Sequence, residues 1–137
     1  MIRFILKQVY LIGRFWNALV FWIRHLDGHV HKGSGLRLNV PLYCDGTGQV
    51  SLGSGITVGY GLSAILGDGM VRLKARGGEA RILVGDGTAI SNNTQVFAEH
   101  STTIGARCLI GAGSVVVRSI PPGVIAASNP AKVIRTL

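Results

Sequence analysis

Charged residues are scarce in this sequence, and acidic residues are the scarcest of them. Only 15% of the 137 residues are charged, against about 25% in an average globular protein. Six acids stand against 14 lysines and arginines, so the net charge is +8, and no acid occurs before Asp27. This balance favours an anionic partner, which could be a nucleic acid, a membrane or a phosphorylated ligand. The hydrophobic content of 47% excludes a disordered polymer.

Cysteines and long uncharged runs are also few. Cys44 and Cys108 are the two cysteines, which excludes a disulfide framework and the spacing of a metal site. They are expected as small core residues, in keeping with a reducing cytoplasm. The longest uncharged run of the N-terminal segment is 15–23, whereas a membrane-spanning helix needs about 20 nearly uncharged residues. A secretory signal is not expected either, because its uninterrupted apolar region is missing.

Residues 1–26 differ from the rest of the chain in being rich in aromatic and basic residues. The basic residues, with Tyr10, Asn17 and Phe21 among them, recur there at alternating spacings of four and three, which places the cations on one stripe of a helix. These positions are Arg3, Lys7, Tyr10, Arg14, Asn17, Phe21 and Arg24. The pattern predicts a basic amphipathic helix in a membrane interface, with Trp16 and Trp22 at headgroup depth. The alternative is that its wide apolar face packs on the protein's own body or on a partner subunit.

Three histidines follow the predicted helix. His25 and His29 have the i, i+4 spacing of a helical metal site, and His31 follows. Gly28 and Gly33 indicate that the helix has already ended. We therefore expect a solvated linker, and no metal.

Beyond residue 37 the sequence repeats with a period of six. Glycine is about twice as frequent as usual, at 20 of 137 residues. It often follows a large aliphatic residue, in Leu52-Gly53, Val58-Gly59, Leu66-Gly67, Val84-Gly85, Ile104-Gly105 and Ile110-Gly111. Steps of six join Val84, Ile90 and Val96, and then Ile104, Ile110 and Val116. Small residues follow four positions later, at Thr88, Thr94, Cys108 and Ser114. Two slips of eight residues, Val58 to Leu66 and Val96 to Ile104, interrupt the period.

A period of six is incompatible with an α-helix and fits a short strand followed by a corner. Three such edges close one triangular coil, and the aliphatic residue points inward onto its copy in the next coil. Glycine, Asn or Asp suits the corners, where a positive φ is needed. The sequence thus predicts an all-β parallel β-helix of about four coils between residues 38 and 117. Residues 1–33 are predicted as helix and linker, 34–137 as the β-helix domain, and 70–81 as a distorted coil or an excursion.

Three segments carry a resemblance to a known family. They are 84–96, 103–111 and the tail 113–135, in which a Gly-Ser-Val-Val strand is followed by a Pro-Pro turn and by Asn-Pro-Ala-Lys. Residues 37–137 resemble the left-handed β-helix, hexapeptide-repeat acyltransferases, and within them the O-acetyltransferases of surface-polysaccharide synthesis. Ser128 stands where the family's tail usually has glycine.

The resemblance implies an enzyme that assembles as a homotrimer and binds acetyl-CoA, without a metal, between neighbouring β-helices. A histidine would act as general base on a saccharide hydroxyl, and backbone N–H groups would hold the thioester oxygen. The resemblance places the CoA phosphates near the tail, where Arg118, Asn129, Lys132 and Arg135 are the candidate cofactor-binding residues. It also implies a cytoplasmic protein, expected at the cytoplasmic face of the membrane, in capsule or lipopolysaccharide synthesis.

The sequence departs from the family where the catalytic histidine is expected. The family carries it in a loop after the coil that here ends at Ile110, but Ile110 runs directly into the tail. The sequence is therefore interpreted as an internally shortened member. His100 becomes the candidate base, with Glu99 orienting its ring, and the alternative is that His100 is an exposed corner histidine. Asn92 and Asn93 either place the acceptor or are corner residues.

Three further hypotheses follow from this departure and from the basic residues. A shortened, non-catalytic relative would serve as a binding or assembly module. A β-helical carbonic anhydrase would need three histidines on zinc, and the repeat supplies one. Arg72, Lys74 and Arg76 alternate on one strand face, which is either solvated or in contact with phosphate headgroups or a lipid-diphosphate sugar. Nucleic acid is not expected, because aromatic residues for base stacking are missing from this region.

Overall fold

The computed structural model describes residues 1–60 and 69–137. One helix, α1 (Ile2–Arg24), precedes fourteen strands in the described residues, numbered here along the chain. The Leu66-Gly67 pair and the slip from Val58 to Leu66 lie outside the described residues, so the structure does not address them.

The strands form three sheets, and successive strands step from one sheet to the next. The first sheet contains β1 (Val30–Lys32), β4 (Gln49–Leu52), β7 (Arg81–Val84) and β10 (Ser101–Ile104). The second contains β2 (Arg37–Leu38), β5 (Thr57–Val58), β8 (Ala89–Ile90), β11 (Leu109–Ile110), β13 (Val124–Ala127) and β14 (Lys132–Thr136). The third contains β3 (Leu42–Gly46), β6 (Val71–Ala75), β9 (Gln95–Ala98) and β12 (Val115–Val116).

All pairings within these sheets are parallel, except that β14 runs antiparallel to β13 at one end. The chain therefore winds as a left-handed parallel β-helix, which confirms the predicted fold class. The first strand, Val30–Lys32, already pairs with β4. The β-helix thus starts ahead of the boundary expected at residue 34.

The repeat residues stack in columns inside the β-helix. Leu52 pairs with Val84, and Val84 with Ile104, and all three are at most 4% exposed. Val58 pairs with Ile90 and Ile90 with Ile110 in the second sheet. The described aliphatic residues of the repeat are buried as predicted, because each one covers its copy in the adjacent coil.

The small residues at the corners satisfy backbone groups. The Thr88 hydroxyl donates to the Gly105 carbonyl at 2.8 Å and accepts from the Cys108 N–H at 3.1 Å. The Ser114 hydroxyl donates to the carbonyl of Gly111. These buried hydroxyls pair backbone groups that the corners would otherwise leave without partners.

Among the glycines that follow an aliphatic residue of the repeat, Gly85 and Gly105 are required by close approach. A Cβ on Gly85 would lie 2.4 Å from the Ala106 backbone nitrogen of the next coil, and one on Gly105 would lie 2.4 Å from that of Pro122. The positive φ expected at the corners falls two residues later, at Gly87 with 68° and at Arg107 with 53°. Two different needs therefore act at these corners. Lack of space selects glycine directly after the aliphatic residue, and a positive φ favours glycine two residues later, although Arg107 adopts it at one corner.

Residues 71–75 are regular, in contrast to the distortion expected for 70–81. Val71, Leu73 and Ala75 point inward and are 0% exposed, while β6 pairs with both β3 and β9. The expectation of a distortion was wrong for this strand. It came from counting in steps of six from Leu66, and that count does not fall on the residues of β6 that point inward. A turn follows, closed by a hydrogen bond from the Ala80 N–H to the Gly77 carbonyl at 3.1 Å.

Helix α1 lies against β2 and β3 through its polar stripe. The Tyr10 hydroxyl donates to Asn39 Oδ1 at 3.1 Å, and Asn17 Nδ2 donates to the Leu38 carbonyl at 3.3 Å. Phe21 is buried in the core at 4% exposure. The wide apolar face points away from the β-helix, so the alternative that it packs on the protein's own body is wrong. In the described part of the chain, no helix combines the length and apolarity needed to cross a bilayer.

Two histidines fasten the end of α1 to β3, where a solvated linker was expected. His25 Nε2 accepts from the Cys44 N–H at 3.3 Å, and its Nδ1 donates to the Phe21 carbonyl at 2.7 Å. His29 Nε2 donates to the Cys44 carbonyl at 3.1 Å. The hydrogen bond from the His29 ring also holds the pKa of the Asp27 carboxyl below its usual range. Since both backbone groups of Cys44 are bound by imidazoles, the histidines have a structural role.

Replacing Gly85 by Ala should destabilise the β-helix, because the added methyl group would press on the backbone of the next coil. We expect a loss of about 1–3 kcal/mol in the free energy of unfolding, typical of overpacking. Urea denaturation measures it. Gly78→Ala is the matched control, since a Cβ there meets nothing within 4 Å. Equal stabilities for the two variants would contradict the close-approach explanation.

Stability should also fall at alkaline pH because of Cys44. Burial, with a contribution from the Asp45 carboxylate, raises the pKa of this thiol from 9.0 to about 12. The unfolded chain releases the thiol proton first, so stability is lost as the pH rises from about 9 towards 12. Between about pH 8 and pH 10 the loss is on the order of 1 kcal/mol. In urea denaturation, the Cys44→Ala variant should lack this part of the pH dependence of stability. If its free energy of unfolding falls with pH as steeply as that of the unsubstituted protein, the role of Cys44 is contradicted.

Candidate functional site

An open cavity of about 520 Å³ lies at the corner between β9 and β10. It is lined by Arg76, Phe97, Glu99, His100, Ser101, Thr102, Val115 and Val117. The volume is within the range of small-molecule sites, about 300–1,000 Å³. The candidate base His100 and its predicted partner Glu99 are therefore both at a cavity wall.

The eight-residue slip explains why His100 is at the surface. Strands β9 and β10 are each four residues long, and Glu99 and His100 form the bend between them. The His100 carbonyl accepts from the Arg81 N–H at 2.7 Å, and the Thr102 hydroxyl donates to the Phe97 carbonyl at 2.9 Å. These bonds fix the backbone of the corner while the His100 side chain stays exposed.

Glu99 does not orient the His100 ring in this conformation. Among the described residues, neither side chain has a hydrogen bond or an ion pair. The role of Glu99 as the orienting group therefore stays a prediction.

Arg76 is a cavity residue that the sequence did not assign to this site. Its backbone N–H donates to the Ala98 carbonyl at 2.7 Å, and its guanidinium lies 5.0 Å from the centre of the Phe97 ring. This distance is that of a cation–π contact. The alternation of Arg72, Lys74 and Arg76 was the available signal, but only the β6–β9 pairing brings Arg76 to the cavity.

The two asparagines lie at a different corner. Asn92 is 5% exposed, and its Oδ1 accepts from the Tyr60 N–H at 2.9 Å. Asn93 has a φ of 60° and lines a separate cavity of about 250 Å³ together with Arg72. The structure thus gives both residues the geometry of corner residues and does not bring them to His100.

The tail packs beside the His100 cavity. Val115 lines the cavity; its N–H donates to the Ser128 carbonyl at 3.1 Å, and its carbonyl accepts from the Ala131 N–H at 2.8 Å. The turn that carries Asn129 is therefore anchored to a cavity residue. Ser128 has a φ of 94°, which accounts for glycine in the family's usual tail.

The candidate cations lie close to this turn in the sequence. Lys132 and Arg135 are exposed on β14, and Arg118 is exposed just after β12. Their roles in cofactor binding stay predictions.

Comparisons with known proteins agree with the fold. No protein-family model matches the chain. The galactoside O-acetyltransferase of Escherichia coli is 44% identical over 52 residues, which are 35% of this chain and 26% of that protein. The chain spans between 16% and 28% of the length of the curated relatives it matches.

Two solved structures share the architecture. A hexapeptide-repeat acetyltransferase of Vibrio cholerae, in complex with acetyl-CoA, has a TM-score of 0.59 at 13% identity and covers 96% of this chain and 87% of its own. A perosamine N-acetyltransferase of Caulobacter crescentus, in complex with CoA and GDP-perosamine, has a TM-score of 0.50 at 26% identity, over 77% of this chain and 50% of its own. In its repeat, its tail and its coil geometry, the chain is similar to the hexapeptide-repeat acetyltransferases.

Replacing Asn92 by Ala should cost stability, since the Tyr60 N–H would lose its acceptor. We expect the free energy of unfolding to fall by about 1–3 kcal/mol. Thermal or urea unfolding measures this. Asn93→Gly is the matched variant, because glycine accepts the positive φ there. The hydrogen bond that Asn93 Oδ1 accepts from the Met70 N–H is long, at 3.4 Å, and exposed, so its loss should change stability little. A stable Asn92→Ala protein would contradict the structural role of Asn92.

Proposed function

We propose that the chain is an acetyl-CoA-dependent O-acetyltransferase that acts on a saccharide hydroxyl in surface-polysaccharide synthesis. The observation that carries this proposal is the anchoring of the family's tail to Val115, at the wall of the His100 cavity. The exposed imidazole thus lines the same cavity as the residue that holds the family's closing motif. The O-acetyltransferase relative supports the reaction type, and the relative crystallised with GDP-perosamine supports a saccharide acceptor.

In the proposed reaction the exposed His100 ring removes the proton from the acceptor hydroxyl. The hydroxyl oxygen then forms a C–O bond to the thioester carbonyl carbon, and the C–S bond to CoA breaks. The imidazolium returns the proton to the departing sulfur, so the base is restored. This is general acid–base catalysis by one histidine.

The charges of the tail fit the phosphates of CoA. Arg118, Lys132 and Arg135 are exposed cations that flank the Asn129 turn in sequence, and exposed cations attract phosphate groups. Arg76 adds a cation at the cavity itself. We assign these residues to binding, and assign only His100 to proton transfer.

We also propose that the molecule works as a homotrimer. Leu83 is 41% exposed, Leu109 38% and Val117 47%, and subunit contacts would cover such outward aliphatic side chains. Val117 also lines the His100 cavity, so a neighbouring subunit packed on it would complete the site.

A non-catalytic relative is the second candidate. It is favoured by the missing hydrogen bond between Glu99 and His100 in the described structure, and by the direct join of Ile110 to the tail. Such a protein would bind CoA or assemble without transferring an acetyl group.

Calorimetry with acetyl-CoA on the full chain, followed by a CoA-release assay with free and nucleotide-linked hexoses, separates these functions. We expect binding, and turnover that His100→Ala lowers by roughly 10²–10⁴-fold at unchanged acetyl-CoA affinity. His31→Ala is the histidine control, because His31 is exposed on β1. Lys132→Ala should weaken the binding of acetyl-CoA, because it removes a cation assigned to the CoA phosphates.

Each result assigns one function. Binding without transfer to any hexose would support the non-catalytic relative, and normal turnover of His100→Ala would remove His100 as the base. A folded protein that fails to bind acetyl-CoA would overturn the transferase proposal.

A further inference from the structure

Helix α1 turns its apolar side away from its own protein. Its polar stripe contacts the β-helix through Tyr10 and Asn17. Phe15 is 67% exposed, Trp16 63% and Trp22 61%, although Trp16 and Trp22 each also border a groove against the β-helix. The exposed apolar side chains continue along the helix from Ile2 to Ile23. A contiguous apolar face of this length on a water-exposed helix marks an interaction surface.

We propose that this face docks onto an anionic lipid bilayer, with α1 lying in the plane of the interface. An interfacial helix buries its apolar side among the acyl chains and keeps its polar side towards water. In this protein the polar side is already fixed against the β-helix, so the β-helix would lie on the aqueous side. The proposal goes beyond acetyl transfer, since it holds equally for a non-catalytic relative.

Charge favours anionic lipid over the other occupants. Helix α1 carries four cations and no acid, and the whole chain has a net charge of +8. A second copy would bring the same positive charges and no complementary acids. Arg3 and Lys7 are exposed, so they are free to reach phosphate headgroups while their stems cover apolar surface.

The position of the aromatic residues agrees with a headgroup boundary. Trp16 and Trp22 are both on the outward side, more than half exposed. Tryptophan is enriched where one part of its ring is apolar and another part is wet, as at membrane interfaces.

The end of α1 is held firmly enough to orient the docked protein. His25 and His29 bind both backbone groups of Cys44 on β3, and Phe21 is inserted in the core. The outward direction of the apolar face is therefore determined by the fold, and lipid would meet it without rearrangement.

Flotation of the full chain with vesicles tests the proposal. Vesicles of phosphatidylcholine and phosphatidylglycerol in equal parts should bind the protein, and added salt should weaken the binding. The double variant Trp16→Glu, Trp22→Glu should bind at least about tenfold more weakly, because it places charges on the inserted face. Tyr60→Glu is the matched control, since Tyr60 is 55% exposed outside α1, and it should bind normally.

Charge variants test the lipid specificity. Arg3→Gln and Lys7→Gln should each weaken binding to the anionic vesicles by about fivefold. Arg81→Gln and Arg107→Gln, which remove equal charge from the β-helix, should have a smaller effect. Circular dichroism verifies that every variant is folded.

The same variants distinguish the competing occupants. Absence of vesicle binding by the folded wild-type chain would overturn the proposal. So would an oligomer that the Trp16→Glu, Trp22→Glu variant dissociates, as measured by sedimentation velocity without lipid, since a second copy would then cover the face. Binding that is equal for anionic vesicles and for pure phosphatidylcholine would contradict the role of charge.

Discussion

The stacking of each coil directly on the next is the constraint on which the rest of the structure depends. Parallel strands set each residue above its copy, as Val58, Ile90 and Ile110 are, so the aliphatic positions of the repeat must be similar in shape to their neighbours. The same stacking brings corner backbones so close that Gly85 has no room for a side chain. Buried hydroxyls such as that of Thr88 then satisfy the corner carbonyls and amides.

The candidate site is a consequence of that stacking. The His100 corner is exposed because β9 and β10 have longer edges than the two-residue strands of the second sheet. Coil contacts bring Arg76 beside Phe97, and the tail beside Val115, although these residues are distant in sequence. The candidate site draws its lining from different coils, with His100, the cation Arg76 and apolar walls such as Phe97 around one cavity.

Helix α1 obeys a different rule from the β-helix. It adheres through hydrogen bonds and one buried ring, Phe21, while its larger apolar area stays outside. An amphipathic helix usually turns its apolar face to the core. Helix α1 instead contacts the β-helix through its polar stripe, so its apolar face stays exposed for the proposed bilayer contact. The two histidines at its end, expected in a solvated linker, complete the attachment.

The sequence by itself determined the architecture: a period of six can be satisfied only when each aliphatic residue stacks on its copy, so Val84, Ile90 and Val96 were predictable as core residues. It also determined the amphipathic stripe of α1 and the exposed corner at His100. It could not decide the register of 71–75, which depends on pairing with β3 and β9. Nor could it decide that Asn92 is buried away from His100, or which face of α1 meets the protein. Those outcomes depend on contacts between residues far apart in the chain, and periodicity describes only neighbours along it.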